Sequence, residues 1–277
     1  NLGDRTYSAK NPEYGTNINY YLNHIPNSPI VVEILDSQNN LITSLREKSP
    51  KKGINRLVWD LGYDSANPLK LNKSGDLENK KSKSGKTYEG LSEEIRPKVA
   101  PGKYTARLSY KNFTESSEIL VSGDYRIKMP LENYKLKSKA LVELRDLQNS
   151  THELIEKIVF IQNQLEQLTI KLKIVSSNDI TGIENLYDLI NDFKDDHLMR
   201  PPPSMGYRQR PRLKEEIKTL MRAIDNTTNP PTVPQQERIK SLKEEFDKYF
   251  KKMEEIESNI KQISSNYSNL PQIILNN

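Results

Sequence analysis

The period of the hydrophobic pattern changes once along this chain, near residue 125, and this change limits the fold more than any other feature. Before it, apolar residues alternate with polar ones, as in half-buried β-strands. After it, they recur at alternating steps of three and four, as in long amphipathic helices. The sequence therefore predicts a multidomain β + α chain, with a linker at residues 1–14, a strand-rich domain at 15–124 and a helical domain at 125–277.

Six short runs in the first domain alternate in the way strands do. They are GTNINYYL, PIVVEIL, NLITSL, GINRLVW, GKYTARLSY and FTESSEILV. Two antiparallel sheets that bury facing stripes are the simplest way to hide such residues, so we expect an Ig-like antiparallel β-sandwich. A long polar loop, residues 64–99, separates the fourth and fifth strands, and we expect its middle, residues 73–86, to be mobile.

The second domain carries two heptad seams. The first comprises Leu144, Leu147, Leu154, Ile158, Ile161, Leu165, Leu168, Leu172 and Val175, with Thr151 as its polar member; the second comprises Ile239, Leu242, Phe246, Tyr249, Met253, Ile256, Ile260, Ile263 and Tyr267. Two shorter amphipathic pieces lie between them, separated by the proline-containing stretch RPPPSMGYRQRPR. The pattern predicts an antiparallel three-helix-type bundle in which the short pieces form one interrupted middle helix. The predicted helices cover about residues 131–175, 181–196, 211–225 and 234–267.

The residue types present exclude several chemistries. The chain has no cysteine, which removes disulfides, thiolate metal sites and cysteine nucleophiles. His24, His152 and His197 lie in separate segments without a second histidine at metal spacing, and polar residues such as the run DDH at 195–197 are expected at a helix end. The sequence contains no recognised catalytic or nucleotide-binding signature and no apolar run of the roughly 20 residues that a membrane helix needs. We therefore expect no catalytic residue, no cofactor, no metal and no membrane span in this chain.

The single tryptophan, Trp59, lies in phase with Leu57 and Leu61 at the end of a predicted strand. Those are the inward positions of the strand, whereas a sugar-stacking tryptophan would have to face outward. We expect Trp59 to fill the core, and we expect Asp60, which is out of phase with it, to face solvent or to anchor a turn.

One basic stretch can account for the net charge of +5. Its cations, with no acid among them, are Arg200, Arg208, Arg210, Arg212 and Lys214. Such a run could bind phosphate or an acidic glycan, but a single aromatic residue and a frame of prolines favour a solvated connection between helices. We expect no nucleic-acid partner, and we retain Arg208, Arg210 and Arg212 as candidate partner contacts.

The chain also resembles a family of larger proteins. The segments NPEYGTNINYYL, VVEILDSQNNLITSL, GINRLVWDLGY and APGKYTARLSY, followed by RLKEEIKTLMRAID and a final LPQIIL, resemble the carboxyl-terminal region of secreted bacterial proteins built on a sortilin-type or BNR-repeat β-propeller, often labelled glycosyl-hydrolase-like. The strand-rich part is also similar to the Ig-like module of flagellar-hook-capping proteins. The Lys/Ser/Gly-rich insertion after WDLGYD departs from this pattern, and the propeller's repeat motif is not found, so no sugar-cleaving site is carried over.

The resemblance implies a non-catalytic accessory region that packs against or oligomerises a β-propeller of the same parent protein. That protein would be secreted, periplasmic or on the cell surface of a bacterium, with its signal peptide outside this chain. A homo-oligomer is a further candidate, because the first helix outruns its short partners. The alternative function is a carbohydrate-binding module of a glycoside hydrolase, in which exposed Tyr14, Tyr20, Tyr21 or Tyr63 stack on sugars. A third is a surface assembly subunit whose helices join copies.

Overall fold

The computed structural model describes residues 13–71, 95–175, 181–201 and 210–265. Antiparallel sheets in its amino-terminal half, followed by one long helix and three others, confirm the mixed β and α class. The described residues form two compact units, each with its own hydrophobic core. The Ig-like sandwich and the three-helix bundle stay predictions, and the segment expected to be mobile, residues 73–86, lies outside the described residues.

The strand-rich unit consists of residues 13–64 and 96–138. Its strands are β1 Thr16–Leu22, β2 Ile30–Leu35, β3 Leu41–Glu47, β4 Gly53–Trp59, β5 Gly102–Tyr110 and β6 Phe113–Val121. β1 pairs with β4 in a two-stranded sheet, and the other four form a sheet in the order β3, β2, β5, β6, with every pairing antiparallel. Inward side chains of both sheets contribute to one buried cluster.

Trp59 lies in that cluster with none of its side chain exposed, which confirms its assignment to the core. Its ring meets Tyr104 edge to face at 5.4 Å between centroids, a favoured geometry for aromatic pairs. The indole Nε1 donates a hydrogen bond of 3.0 Å to the carbonyl of Gly62, so its one polar atom is satisfied. Leu57 and Leu61 pack against the same cluster, partly buried.

The two ends of the predicted polar loop meet directly after β4. Tyr63 N donates to the carbonyl of Pro97 at 2.8 Å, and Val99 N donates to that of Leu61 at 2.9 Å. Asp60 anchors this junction, because its Oδ2 lies 3.2 Å from Arg96 Nη1 and 3.1 Å from Lys98 Nζ. Of the two expectations for Asp60, the turn anchor is therefore the one observed.

The described part of the helical unit consists of residues 65–71, 95, 139–175, 181–201 and 210–265. Its helices are α1 Leu131–Val175, whose first eight residues belong to the strand-rich unit, α2 Thr181–Phe193, α3 Leu213–Asp225 and α4 Val233–Ser265, with a π-helical turn Lys194–Leu198 extending α2. α1 and α4 run in the same direction, since Lys243 pairs with Glu143 at 2.7 Å and Lys157 pairs with Glu257 at 2.5 Å. α2 runs against both, since Lys173 near the end of α1 pairs with Glu184 near the start of α2 at 3.0 Å.

A short strap, residues 65–71, packs along α1. Asn149 Oδ1 accepts a hydrogen bond from Asn67 N at 2.7 Å, and Glu156 Oε1 accepts one from Lys70 N at 2.5 Å. Between them, buried His152 places Nδ1 2.7 Å from the carbonyl oxygen of Asn67, which can only accept, so that nitrogen carries a proton. Positions three and four apart share one face of a helix, so these side chains form a ladder for the strap. The sequence predicts these residues to be part of the polar loop of the strand-rich domain, whereas in the structure they belong to the helical unit.

We expect the double change Asn149→Ala, Glu156→Ala to release the strap. It removes two hydrogen bonds that together contribute about 1–3 kcal/mol, so trypsin cleavage after Lys70 should become roughly tenfold faster or more. The measurement is limited proteolysis with mass-spectrometric quantification of that cut. Glu153→Ala, an exposed position on the same helix, is the control and should leave the rate unchanged. Equal rates in all three proteins would contradict the role of the ladder.

Candidate functional site

An open groove of about 890 Å³ lies in the helical unit between α2, the π-helical turn and α4. Its base is apolar and aromatic, formed by Leu189, Phe193, Tyr249 and Ile256. Its walls carry charged side chains from both helices. A cleft of this size that combines an apolar base with a few polar groups is typical of a binding site.

Three rings meet in the groove. The His197 and Tyr249 rings are stacked with centroids 4.9 Å apart, and Phe193 meets Tyr249 edge to face at 6.2 Å. His197 belongs to the π-helical turn, and the two residues that follow it, Leu198 and Met199, are both buried. π-helical turns occur frequently at functional sites, and this one anchors His197 beside α4.

Burial raises the pKa of Tyr249, and the negative charges of Glu245 and Glu216 raise it further. The phenol therefore stays neutral well above physiological pH and can donate a hydrogen bond. The same two carboxylates bind Arg238, which lies 2.7 Å from Glu245 and also contacts Glu216. This pairing holds α3 against α4 beside the groove.

The two walls differ in charge. The α2 side contributes Asp192 and Asp196, and the α4 side contributes Lys248, Lys251 and Lys252 together with Glu244, Asp247 and Glu255. Glu255 pairs with Lys252 at 2.9 Å, while Glu244 pairs outside the groove with Lys240 at 3.9 Å. Among the described residues, no ion pair within 4.0 Å joins an aspartate of α2 to a lysine of α4. The charged groove residues of the α2 side are thus both acidic, whereas the α4 side carries three lysines and three acids.

The tyrosines that the sequence singled out do not share one surface. Tyr14 is 67% exposed, but Lys98 Nζ lies 5.3 Å from its ring centroid and covers one face. Tyr20 and Tyr21 project to opposite faces of β1, so Tyr21 is 65% exposed while Tyr20 packs half-buried on the core. Burial, and then the charge of Glu47, raises the pKa of Tyr20. Tyr63 also packs against the core.

Within the basic stretch, Arg212 has a structural role. Arg212 Nε donates to the carbonyl of Asp195 at 2.7 Å, and its backbone N donates to Glu215 Oε2 at 3.0 Å at the start of α3. Arg210 is exposed, and Arg208 lies outside the described residues. Within the part of the chain that the structure describes, no group of three or more histidine, aspartate or glutamate side chains is placed to hold a metal ion.

The sequence did not predict the groove, because the only chemistry considered for His197 was metal binding. The sequence feature that could have indicated it is the group of lysines at 248, 251 and 252 beside the seam residue Tyr249.

Comparisons with models of known protein families, with curated proteins and with solved structures gave no match. No described helix combines the length and the apolar character needed to cross a bilayer.

Proposed function

We propose that this chain is a non-catalytic interaction region of a secreted or cell-surface protein with a sortilin-type β-propeller, and that the groove of the helical unit binds a protein partner. One observation supports a protein partner: the groove is open and has an aromatic and aliphatic base framed by charged side chains. Protein interfaces have this composition, with aromatic residues at the centre and a polar rim. The propeller in the proposal comes from the sequence resemblance alone.

The groove also suits a protein segment by its shape. Two helices running in opposite directions flank it, and such a groove accepts an amphipathic helix of a partner along its length. Leu189, which is 47% exposed, lines the groove together with buried Phe193. A partner would cover this side chain.

The helix directions further support the three-helix bundle as a proposal, and the core shared by both sheets supports the sandwich.

Site-specific photo-cross-linking in the producing cell tests the proposed partner. A benzophenone amino acid at Leu189 should give a discrete adduct with a protein that mass spectrometry identifies. Ile170 is the matched control, since it is also 47% exposed but lies on α1, away from the groove lining. Adducts of equal yield at both positions, or none at Leu189, would rule out the groove as the partner site.

A second candidate function is carbohydrate binding on the outer face of the β1–β4 sheet. There Tyr21 lies opposite Ile54, which is 80% exposed. Arg56 Nε donates to Asn19 Oδ1 at 3.1 Å in the neighbouring pair on the same face. An exposed ring beside amide and guanidinium groups offers both stacking and hydrogen bonding to a sugar.

A glycan-binding screen of the whole chain distinguishes this candidate. Saturable binding that Tyr21→Ala abolishes would support it. Tyr125→Ala, which removes a ring that is 92% exposed in the same unit, is the control and should have no effect. Binding that both changes weaken equally, or no binding at all, would exclude the sheet face as a carbohydrate site.

A further inference from the structure

β6, the last strand of the four-stranded sheet, has one long edge that no described residue pairs with. The strand runs from Phe113 to Val121 and pairs with β5 along its other edge. From this edge and the charges beside it, we infer that β6 binds an extended segment of a partner protein as a fifth strand, and that this segment carries a lysine or arginine opposite Glu115. The inference goes beyond the proposed function, because it concerns the strand-rich unit and not the groove.

The turn between β5 and β6 determines which backbone groups face the open edge. Tyr110 pairs with Phe113 across a two-residue turn, and the pair that closes such a turn is hydrogen-bonded. Hydrogen-bonded pairs recur at every second residue, so the N–H and C=O groups of the residues between them point away from β5. These edge residues are Thr114, Ser116, Glu118 and Leu120. Among the described residues, no backbone group bonds them, so they offer what an added strand needs.

β6 lacks most of the features that keep an edge strand from pairing. Natural edges are protected by proline, lysine, a bulge or a covering element. The sequence FTESSEILV contains neither proline nor lysine, and its register with β5 is unbroken over nine residues. Residues 113–118 are all exposed, so no described element covers them. The edge is therefore open along most of the strand.

Glu115 is the one protective feature present, and it also sets the chemistry of the partner. It lies opposite Leu108, which packs against the core, so its side chain is on the inner face of the sheet. It is exposed and has no ion pair within 4.0 Å in the described part of the chain. Glu118 is on the other face and is already paired with Lys103 at 3.1 Å. A charge on the inner face disfavours pairing with most strands, whereas a cation directly opposite stabilises it.

The same charges disfavour a second copy of the chain as the occupant. Pairing β6 with β6 of another copy would bring two more glutamates and no cation, because the strand has no lysine or arginine. A segment with a cation opposite Glu115 and apolar residues beside Phe113 and Ile119 matches the inner face instead. Phe113 is 56% exposed and Ile119 is partly buried, so an added strand would cover apolar surface as well.

NMR of the isotopically labelled full chain tests the inference with a synthetic octapeptide. In the peptide, threonine alternates with isoleucine, valine, lysine and valine, in that order, so that antiparallel pairing with β6 places its lysine opposite Glu115. We expect fast hydrogen exchange at the amides of the edge residues in the free chain, and protection of these amides when the peptide is added. The same peptide with glutamate in place of lysine should bind at least about threefold more weakly.

Two variants at one position separate the backbone from the side chain. Ser116→Pro removes an N–H that points to the open edge, where proline is tolerated, so the fold should be kept and peptide binding lost. Ser116→Ala keeps that N–H and should leave the dissociation constant unchanged. Glu115→Lys should reverse the preference, so that the glutamate peptide binds more tightly than the lysine peptide. The fluorescence of buried Trp59 confirms that each variant retains the strand-rich core.

Four results would overturn the inference. They are slow exchange of the edge amides in the free chain, no binding of the lysine peptide, binding that Ser116→Pro leaves intact, and equal affinities for the lysine and glutamate peptides. A dimer that Ser116→Pro abolishes would overturn it too, because a second copy would then occupy the edge.

Discussion

Gly15→Ala is expected to destabilise the strand-rich unit by at least about 4 kcal/mol. A Cβ on Gly15 would lie 2.1 Å from the carbonyl oxygen of Trp59 and 2.8 Å from its carbonyl carbon, far inside van der Waals contact. The φ angle of Gly15, +130°, is also one that L side chains rarely adopt. The carbonyl cannot move aside, because Trp59 is fully buried and pairs with Thr16.

Gly53→Ala separates the clash from the backbone strain. Gly53 also has a positive φ, +95°, but a Cβ there would meet no atom within 4 Å. Gly53→Ala should therefore lower the free energy of unfolding by only about 1–2 kcal/mol, which is the strain of the backbone conformation alone. Urea unfolding followed by the fluorescence of Trp59, the chain's single tryptophan, measures both changes. Equal losses at the two glycines would show that the contact with the Trp59 carbonyl contributes nothing.

The alternation of apolar residues was enough to predict the strands and the burial of Trp59. Alternation is imposed by the pleat of the strand itself, so it can be read from neighbours in sequence. The role of Gly15 could not be read in this way, because the atom it must avoid belongs to a residue 44 positions away. The junction of Asp60 with Arg96 and Lys98 also joins residues that are remote in sequence, 36 and 38 positions apart.

The helical pattern likewise predicts local structure well, but it does not predict contacts between residues that are remote in sequence. The predicted bounds of α1 agree with the structure, because a long heptad seam leaves little freedom in where the helix lies. The middle segment differs, since α2 ends at Phe193 and continues as a π-helical turn that periodicity of 3.6 does not anticipate. The groove was missed because a seam shows which face of each helix is apolar, not which pair of helices leaves a gap.

The strap at residues 65–71 was missed for a different physical reason. Its composition is polar, and composition alone predicts a solvated loop. It packs because Asn149, His152 and Glu156 hydrogen-bond its backbone, while Leu69 and Leu71 reach the core. Three polar side chains on one face of a heptad helix were the only sign of it in the sequence.

Ile158→Asp is expected to destabilise the helical unit by more than about 4 kcal/mol, because it places a charge without a partner in a core that excludes water. Ile158 is 0% exposed at the centre of the α1 seam, and its neighbours Ile155 and Ile161 are also 0% exposed. The helical circular dichroism signal should be lost at a much lower temperature or urea concentration. Trp59 fluorescence, recorded on the same samples, reports the strand-rich core separately.

Ile170→Asp makes the same chemical change on the same helix at a side chain that is 47% exposed. Its charge stays hydrated, so no burial penalty is added. The free energy of unfolding should therefore fall only by the difference in helix propensity, to within about 0.5 kcal/mol, as for most surface substitutions. The difference between the two variants measures burial of the seam rather than the effect of aspartate on a helix. If both lowered the stability equally, the face of α1 that carries Ile158 would have to be exposed to water, and the groove built on that core would have no fixed base.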